Sequence, residues 1–598
     1  MPEWKEWKTC EVDEQRRKFR CLRDLLIVGC PNLIGPFPEY LPSLEKLEIR
    51  NCQNLVVSIS NLPKLSELKI DGCEKVVLGS CTDLWSVKKI TLSNISKFAC
   101  ITNERMSMSE KMKAEDLHVK GCEELVSLWQ TEWGWLVPLR FLRNLKLENC
   151  PQVVSIGATE VEETAEILQL NIHCNIEHLR IEYCEGFQKL SEKLKCLRKL
   201  EIVKCPNLVS VLADNLPSTL KSLVMGECEN LVCLLEDGED INFSNTSLLE
   251  CLEIFECKAL KSLSSSSKLP VGLKTLQIWN CPELEFVAQE IGDNTCLESI
   301  QITFCENIQY LPQGMDNLKS LYLDECEKLE ALPNLNSLQD LTLMSCPRVT
   351  SISEGGLPTN LTRLEISGPN IVKAVMEGGL HRLTTLKKLV IYGGNCDAVT
   401  FPESGLPTNL TMLYISGPSI VKAVMEWGLH RLTSLTRLFI GGGNCIDTVS
   451  FPQEEIKLPP SLNLISIAHF KNLRKLSSKG FQHLFSLQQL SILNCPKFKS
   501  LPKKEVLPSL LDLQIIDSPK LKKRWCKHDR RGTESREPGH FMFPPSILLF
   551  IVGIMQPTFC SSLFESYDFF NLWLNIDDCP LRSIDQESDS LGSLCEYR

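Results

Sequence analysis

With 598 residues, 43% hydrophobic and 23% charged, the chain has the composition of an ordinary soluble globular protein. Its formal net charge is −11, with acidic and basic residues interspersed. That balance excludes general affinity for nucleic acid or an anionic membrane, either of which needs a basic stripe.

The chain opens on Met1, Pro2, Glu3, Trp4, Lys5, Glu6 and Trp7, a charged stretch without the apolar core of a secretory leader. The expectation is an intracellular protein, cytoplasmic or nuclear, whose 29 cysteines are mainly reduced. The glycosylation-type triplets at Asn94, Asn245, Asn360 and Asn409 then count as coincidence. Residues 1–21 read as a lead-in or cap.

From Leu22 onward the sequence repeats. Leu44, Leu47, Ile49, Cys52 and Leu55 recur as Leu197, Leu200, Ile202, Cys205 and Leu208, the pattern L-x-x-L-x-[IL]-x-x-C-x-x-L. About 21 copies lie between Leu22 and Leu510, with a period near 24 residues, inside the 20–29 range of leucine-rich repeats. The L-x-[IL] core has period two, so Leu200 and Ile202 face one way and Lys199, Glu201 and Val203 the other. Each copy is therefore a short strand with one buried face, a turn and a short return. Short returns force successive strands to lie parallel and adjacent. The fold expected over residues 22–530 is an α/β solenoid: a leucine-rich-repeat horseshoe with a parallel β-sheet on its concave face and irregular or short helical convex returns. No single repeat buries enough to fold alone, so stability comes from stacking.

Fourteen copies carry cysteine at the turn: Cys30, Cys52, Cys73, Cys122, Cys150, Cys184, Cys205, Cys228, Cys257, Cys281, Cys305, Cys326, Cys346 and Cys495. A metal or redox site needs clustered spacings such as C-x-x-C, and these do not have them. The other reading is a small apolar side chain with a weak S–H donor tucked under the turn.

The acidic stretches Glu160–Glu166 and Glu236–Asp240 read as insertions on the convex side or edges. A tandem duplication of a repeat pair spans about residues 356–453: Gly356 to Thr362, Ile371 to Glu377 and Leu380 to Leu383 recur 49 positions later. There Pro369 and Pro418 stand in place of the turn cysteine, and Ile371–Met376 suggests a turn of convex helix. Beyond a basic stretch, Lys520–Arg531, residues 531–598 form an atypical tail expected to be poorly ordered. Its apolar run Ile547–Met555 is too short to span a bilayer.

No phosphate-binding motif occurs. Gly441, Gly442 and Gly443 follow a repeat strand without the lysine or helix signal of a phosphate cradle. His381 and His430 are duplicates that sit on returns, and Cys579 lies in an unstructured context. The expectation is no catalysis, no cofactor and no metal. The informative positions are the outward strand residues. Most are charged or polar, such as Glu48, Lys69, Lys146, Arg180 and Glu201. Seven are aromatic: Phe255, Trp279, Phe304 and Tyr322, then Tyr392, Tyr414 and Phe439. Aromatic residues on an exposed sheet are candidate partner anchors; the plainer reading is that they pack on one another.

The repeat, with its C-P-x-L turn, resembles the cytosolic leucine-rich repeats of plant intracellular nucleotide-binding disease-resistance receptors. Met1 to Trp7 with Phe19 to Leu25 resembles a segment inside the repeat domain of the coiled-coil subclass. Ser518 to Cys526 resembles the closing repeat. The resemblance covers about residues 1–530 and implies a truncated receptor without its signalling and nucleotide-binding domains. It also implies a partner: a pathogen effector, a guarded host protein or a receptor's switch domain. The alternatives are a repeat adaptor, such as the substrate reader of a ubiquitin ligase, or a non-functional receptor fragment.

Overall fold

The computed structural model describes residues 3–6, 19–34, 41–59, 62–78, 86–97, 114–125, 141–156, 175–190, 194–212, 216–236, 248–264, 268–289, 296–350, 357–377, 379–394, 405–442, 448–453, 456–502 and 504–520. The chain divides into a unit of Met1–Lys527 and a second of His528–Arg598. The second lies outside the described residues, and with it the run 547–555 and Cys579. The stretches 160–166, 237–240 and 443–447 also lie outside them.

Among the described residues, twenty-one strands form a single sheet. Each pairs in parallel with the strand of the next copy, from Asp24–Val28 against Lys46–Ile59 to Gln489–Leu493 against Asp512–Ile516. Register follows the leucines. Leu200 lies opposite Leu179 and Leu223, and Ile202 opposite Ile181 and Met225. These inward positions are buried in one continuous apolar core, where each strand covers the leucines of its neighbours. The protein is a leucine-rich-repeat solenoid.

In most copies the outward strand gives way to a left-handed residue followed by the turn cysteine. Gly29, Asn51, Gly72, Asn149, Lys204 and Glu256 all have φ between 53° and 67°. The left-handed peptide turns the chain off the sheet, and its N–H still bonds the neighbouring strand: Glu256 N–H donates to the Trp279 carbonyl at 2.8 Å. All fourteen turn cysteines are buried. For thirteen of them the thiol donates to the carbonyl two residues back, as Cys205 does to Val203 at 3.5 Å and Cys346 to Met344 at 3.1 Å. The cysteine thus fills the space beneath the turn and satisfies a strand-end carbonyl. Burial pushes the thiols of Cys73, Cys122 and Cys205 up to about 12.

The returns are varied. Val211–Leu212, Cys233–Glu236 and Ser262–Ser264 form a small second sheet. In the duplicated pair they are helical, at Pro369–Glu377 and Pro418–Trp427, followed by 3-10 turns at Leu380–Arg382 and Leu429–Arg431. Pro369 and Pro418 open these helices, where no N–H is required of them. Ile371, Val372, Val375 and Met376, like Ile420, Val421, Val424 and Met425, press the helices onto the core. Among the described residues no helix is long and apolar enough to cross a membrane.

Candidate recognition surface

The outward residues of the sheet fall into rows, because register is kept from strand to strand. The N-terminal third of this face is an ion-pair lattice. Glu48 holds Arg50 and, at 3.1 Å, Lys69. Glu148 takes Lys120 at 2.5 Å and Lys146 at 2.7 Å. Arg180 bridges Glu182 at 2.9 Å and Glu201 at 2.5 Å. Burial opposes ionisation of Glu148, but hydrogen bonds from Lys120 and Lys146 carry its pKa down to about 2. His118 sits 3.3 Å from the same carboxylate, and burial, then Lys146, lower its pKa. A depression of about 610 Å³ opens over these strands, lined by Lys69, His118, Lys146, Arg180 and Glu201 among others. Charges of both signs neutralise one another across it.

The character then changes. The outward positions of Thr275–Trp279, Ser299–Thr303 and Ser320–Asp324 carry no Lys, Arg or Glu and a single Asp. Phe255 and Trp279 stand side by side, in register on adjacent strands. Phe255 is half-buried because its ring lies over Gly226, the in-register residue of the preceding strand. Trp279 is 43% exposed.

Phe304 is not on a strand. It is the left-handed turn residue after Ser299–Thr303, with φ 55° and 39% exposure, so it stands on the rim beside the face. Tyr322 occupies the centre of its strand, half-buried between Gln301 and Thr342. Tyr392, Tyr414 and Phe439 form a separate group. The rings of Tyr392 and Tyr414 are 4.8 Å apart, and those of Tyr414 and Phe439 are 6.5 Å apart. Phe439 is 2% exposed, which corrects the expectation that it faces solvent. Its ring is a packing element under its neighbours. Burial pushes the Tyr414 hydroxyl up to about 12. The seven aromatics therefore divide into a group at Phe255, Trp279 and Phe304 that includes the two exposed rings, Tyr322 at a strand centre, and an interlocked group further on.

Sequence reasoning passed over the polar residues between these groups. Thr303, Asp324, Thr342 and Glu365 stand at outward positions yet are 9%, 7%, 6% and 2% exposed. Thr303 Oγ1 and Asp324 Oδ1 have no hydrogen-bond partner. Burial, then Glu325, pushes the Asp324 carboxyl up to about 6. An aspartate at the last outward position of a strand was the available signal. Among the described residues no group of three side chains suited to a metal ion is found.

No family model matches the chain. A protein of Arabidopsis thaliana described as a disease resistance protein is 28% identical over 624 aligned positions, covering 86% of this chain. The disease resistance protein RPP4 of the same plant is 26% identical over 323 positions, covering 52% of this chain. Homologues of this chain are plant disease resistance proteins. The chain spans 38% of the length of the first of these relatives and 22% of the second. Among solved structures, YopM of Yersinia enterocolitica is 16% identical with a TM-score of 0.34, covering 85% of this chain and 96% of its own. An internalin of Listeria monocytogenes is 16% identical with a TM-score of 0.26, covering 69% of this chain and 88% of its own.

Proposed function

We propose that this solenoid is the recognition module of a plant immune receptor, binding a pathogen effector or a guarded host protein on the concave sheet. Disease-resistance homologues and a leucine-rich-repeat fold support a defence-related protein-interaction module. The observation that carries the location is the exposed Trp279 beside the half-buried Phe255 where the ion-pair lattice has ended. Large rings presented by a rigid sheet bring contact area at little rotamer cost, as interface hot spots do. The lattice strands, in contrast, spend their charges on one another.

The test compares affinity capture from plant extracts by the full chain, its Trp279→Ala variant and a lattice variant, Lys69→Ala. The expected result is a protein retained by the parent and by Lys69→Ala but lost by Trp279→Ala, with an unchanged circular-dichroism melt. Loss of fold together with capture would make Trp279 a packing residue. Equal capture by all three would remove the aromatic pair from the interface.

A further inference from the structure

Charge is distributed unevenly along the solenoid. Residues 276–330 hold eleven carboxylates, from Glu283 to Glu330, against two lysines, Lys319 and Lys328. This stretch of little more than two repeats accounts for −9 of the chain's −11. It is the same stretch that presents Trp279 and Phe304.

Asp324 lies towards its C-terminal end. The carboxylate stands in register with Thr303 on one side and Met344 on the other, on the solvent side of the sheet. Trp279 is two strands away, roughly 10 Å by strand spacing. Phe304 directly follows Thr303, and its N–H bonds the Asp324 carbonyl at 3.0 Å. More than nine-tenths of Asp324 and of Thr303 is buried, yet Asp324 Oδ1 and Thr303 Oγ1 make no hydrogen bond, even to each other. A buried acceptor left unpaired costs on the order of 1–3 kcal/mol. No lysine or arginine stands on these strands to meet it, whereas each comparable carboxylate of the lattice, Glu48, Glu148 and Glu201, has two cationic partners. The nearby carboxylates Glu325 and Glu365 add field of the same sign.

We propose that the patch formed by Trp279, Phe304 and the Thr303–Asp324 pair docks a basic segment of a partner protein, inserting a lysine or arginine side chain. The ammonium or guanidinium supplies the donor that Asp324 Oδ1 lacks. Further basic side chains of the same segment would be attracted by the ring faces of Trp279 and Phe304, and the surrounding carboxylates steer its approach. An acidic or neutral partner would bury Asp324 against like charge or leave it unpaired. This assignment rests on the recognition role proposed above and gives it a partner chemistry.

The test is fluorescence-anisotropy titration of the full chain with a short labelled peptide of alternating lysine and glycine, beside its glutamate counterpart, at low and raised salt. Three variants are titrated alongside: Trp279→Ala, the double variant Asp324→Asn with Glu325→Gln, and Glu123→Gln with Glu124→Gln, which removes the same charge far from the patch. The expected result is binding of the lysine peptide alone, weakened roughly tenfold or more by each patch variant and by salt, and unchanged in the distant control. Thermal melts confirm that each variant is folded. Equal weakening by patch and distant variants would reduce the effect to net charge and overturn the proposal, as would binding of the glutamate peptide. If the lysine peptide fails while capture of a plant protein still depends on Trp279, the basic chemistry is wrong and the recognition surface stands.

Discussion

The ring of Phe255 occupies the space that a side chain would need at Gly226: a Cβ built there would lie 2.1 Å from Phe255 Cζ. The two residues are in register on neighbouring strands, so the Phe255 ring in this position requires a residue without a side chain at Gly226. Gly226→Ala is expected to lift the ring and cost about 1–3 kcal/mol. Phe255→Ala combined with it should cost less than the two changes summed, with a coupling of about 0.5 kcal/mol or more. Denaturant melts of the four proteins in this cycle measure that coupling, and strict additivity would show that the ring does not rest there.

The turn cysteines should be chemically silent in the folded protein. Burial holds Cys73, Cys122 and Cys205 near 12, whereas Cys21 and Cys296 are exposed. Thiolate is the reactive form, so a maleimide at neutral pH should label Cys21 and Cys296 and spare the turn positions until denaturant is added. Peptide mass mapping reads this directly. Labelling of turn peptides at the rate of Cys296 in native buffer would contradict the buried ladder.

Asp324 should make the fold less stable as pH rises. Its carboxyl is raised from 3.8 to about 6, so the protonated form is favoured in the folded state. The stabilisation this gives is fully present below the unfolded pKa and lost as pH rises through about 6. Asp324→Asn removes the charge and keeps the shape. Its melting temperature should exceed the parent's at pH 7 by an amount equivalent to roughly 1–3 kcal/mol, with the gap closing near pH 4. A gap independent of pH would place the strain elsewhere.

Glu148 should show the opposite sign. Its carboxyl is lowered from 4.5 to about 2, so its contribution is present above the unfolded value and disappears as pH falls through the folded one. Lys120 and Lys146 are partly exposed, with side-chain accessibilities of 47% and 34%, so solvent screening reduces the effect to on the order of 1 kcal/mol. Glu148→Gln should destabilise the solenoid at pH 7 and match the parent's stability near pH 2. An acid titration of both proteins by circular dichroism checks this.

The sheet was legible in the sequence because its determinant is a period of two repeated in every copy. Leu200 and Ile202 must face inward whatever surrounds them, and the parallel register follows from the short returns. The turn cysteines were legible for the same reason, as was the helix over Ile371–Met376. What was not legible depends on neighbours in space. Whether Phe439 meets solvent is decided by the rings on the adjacent strands, which no single-repeat pattern encodes. Phe304 shares the parity of the inward Ile300 and Ile302, so period two alone would point it into the core; it is the left-handed turn after Thr303 that brings it out onto the rim. The Thr303–Asp324 pair becomes visible only when register places the two side chains abreast.

The left-handed residue before each turn gives the rim its own logic. Glycine or asparagine occupies that conformation at little cost, but Tyr183, Lys204, Glu227 and Phe304 also adopt it, at about 1–2 kcal/mol each. In return their side chains meet across repeats: Lys204 Nζ lies 2.5 Å from the Tyr183 hydroxyl and 3.3 Å from Glu227. The rim is a row of sockets whose occupants can be exchanged at a fixed conformational toll without disturbing the leucines beneath. A protein built this way can revise what its edge displays one residue at a time, while its scaffold keeps the same spacing.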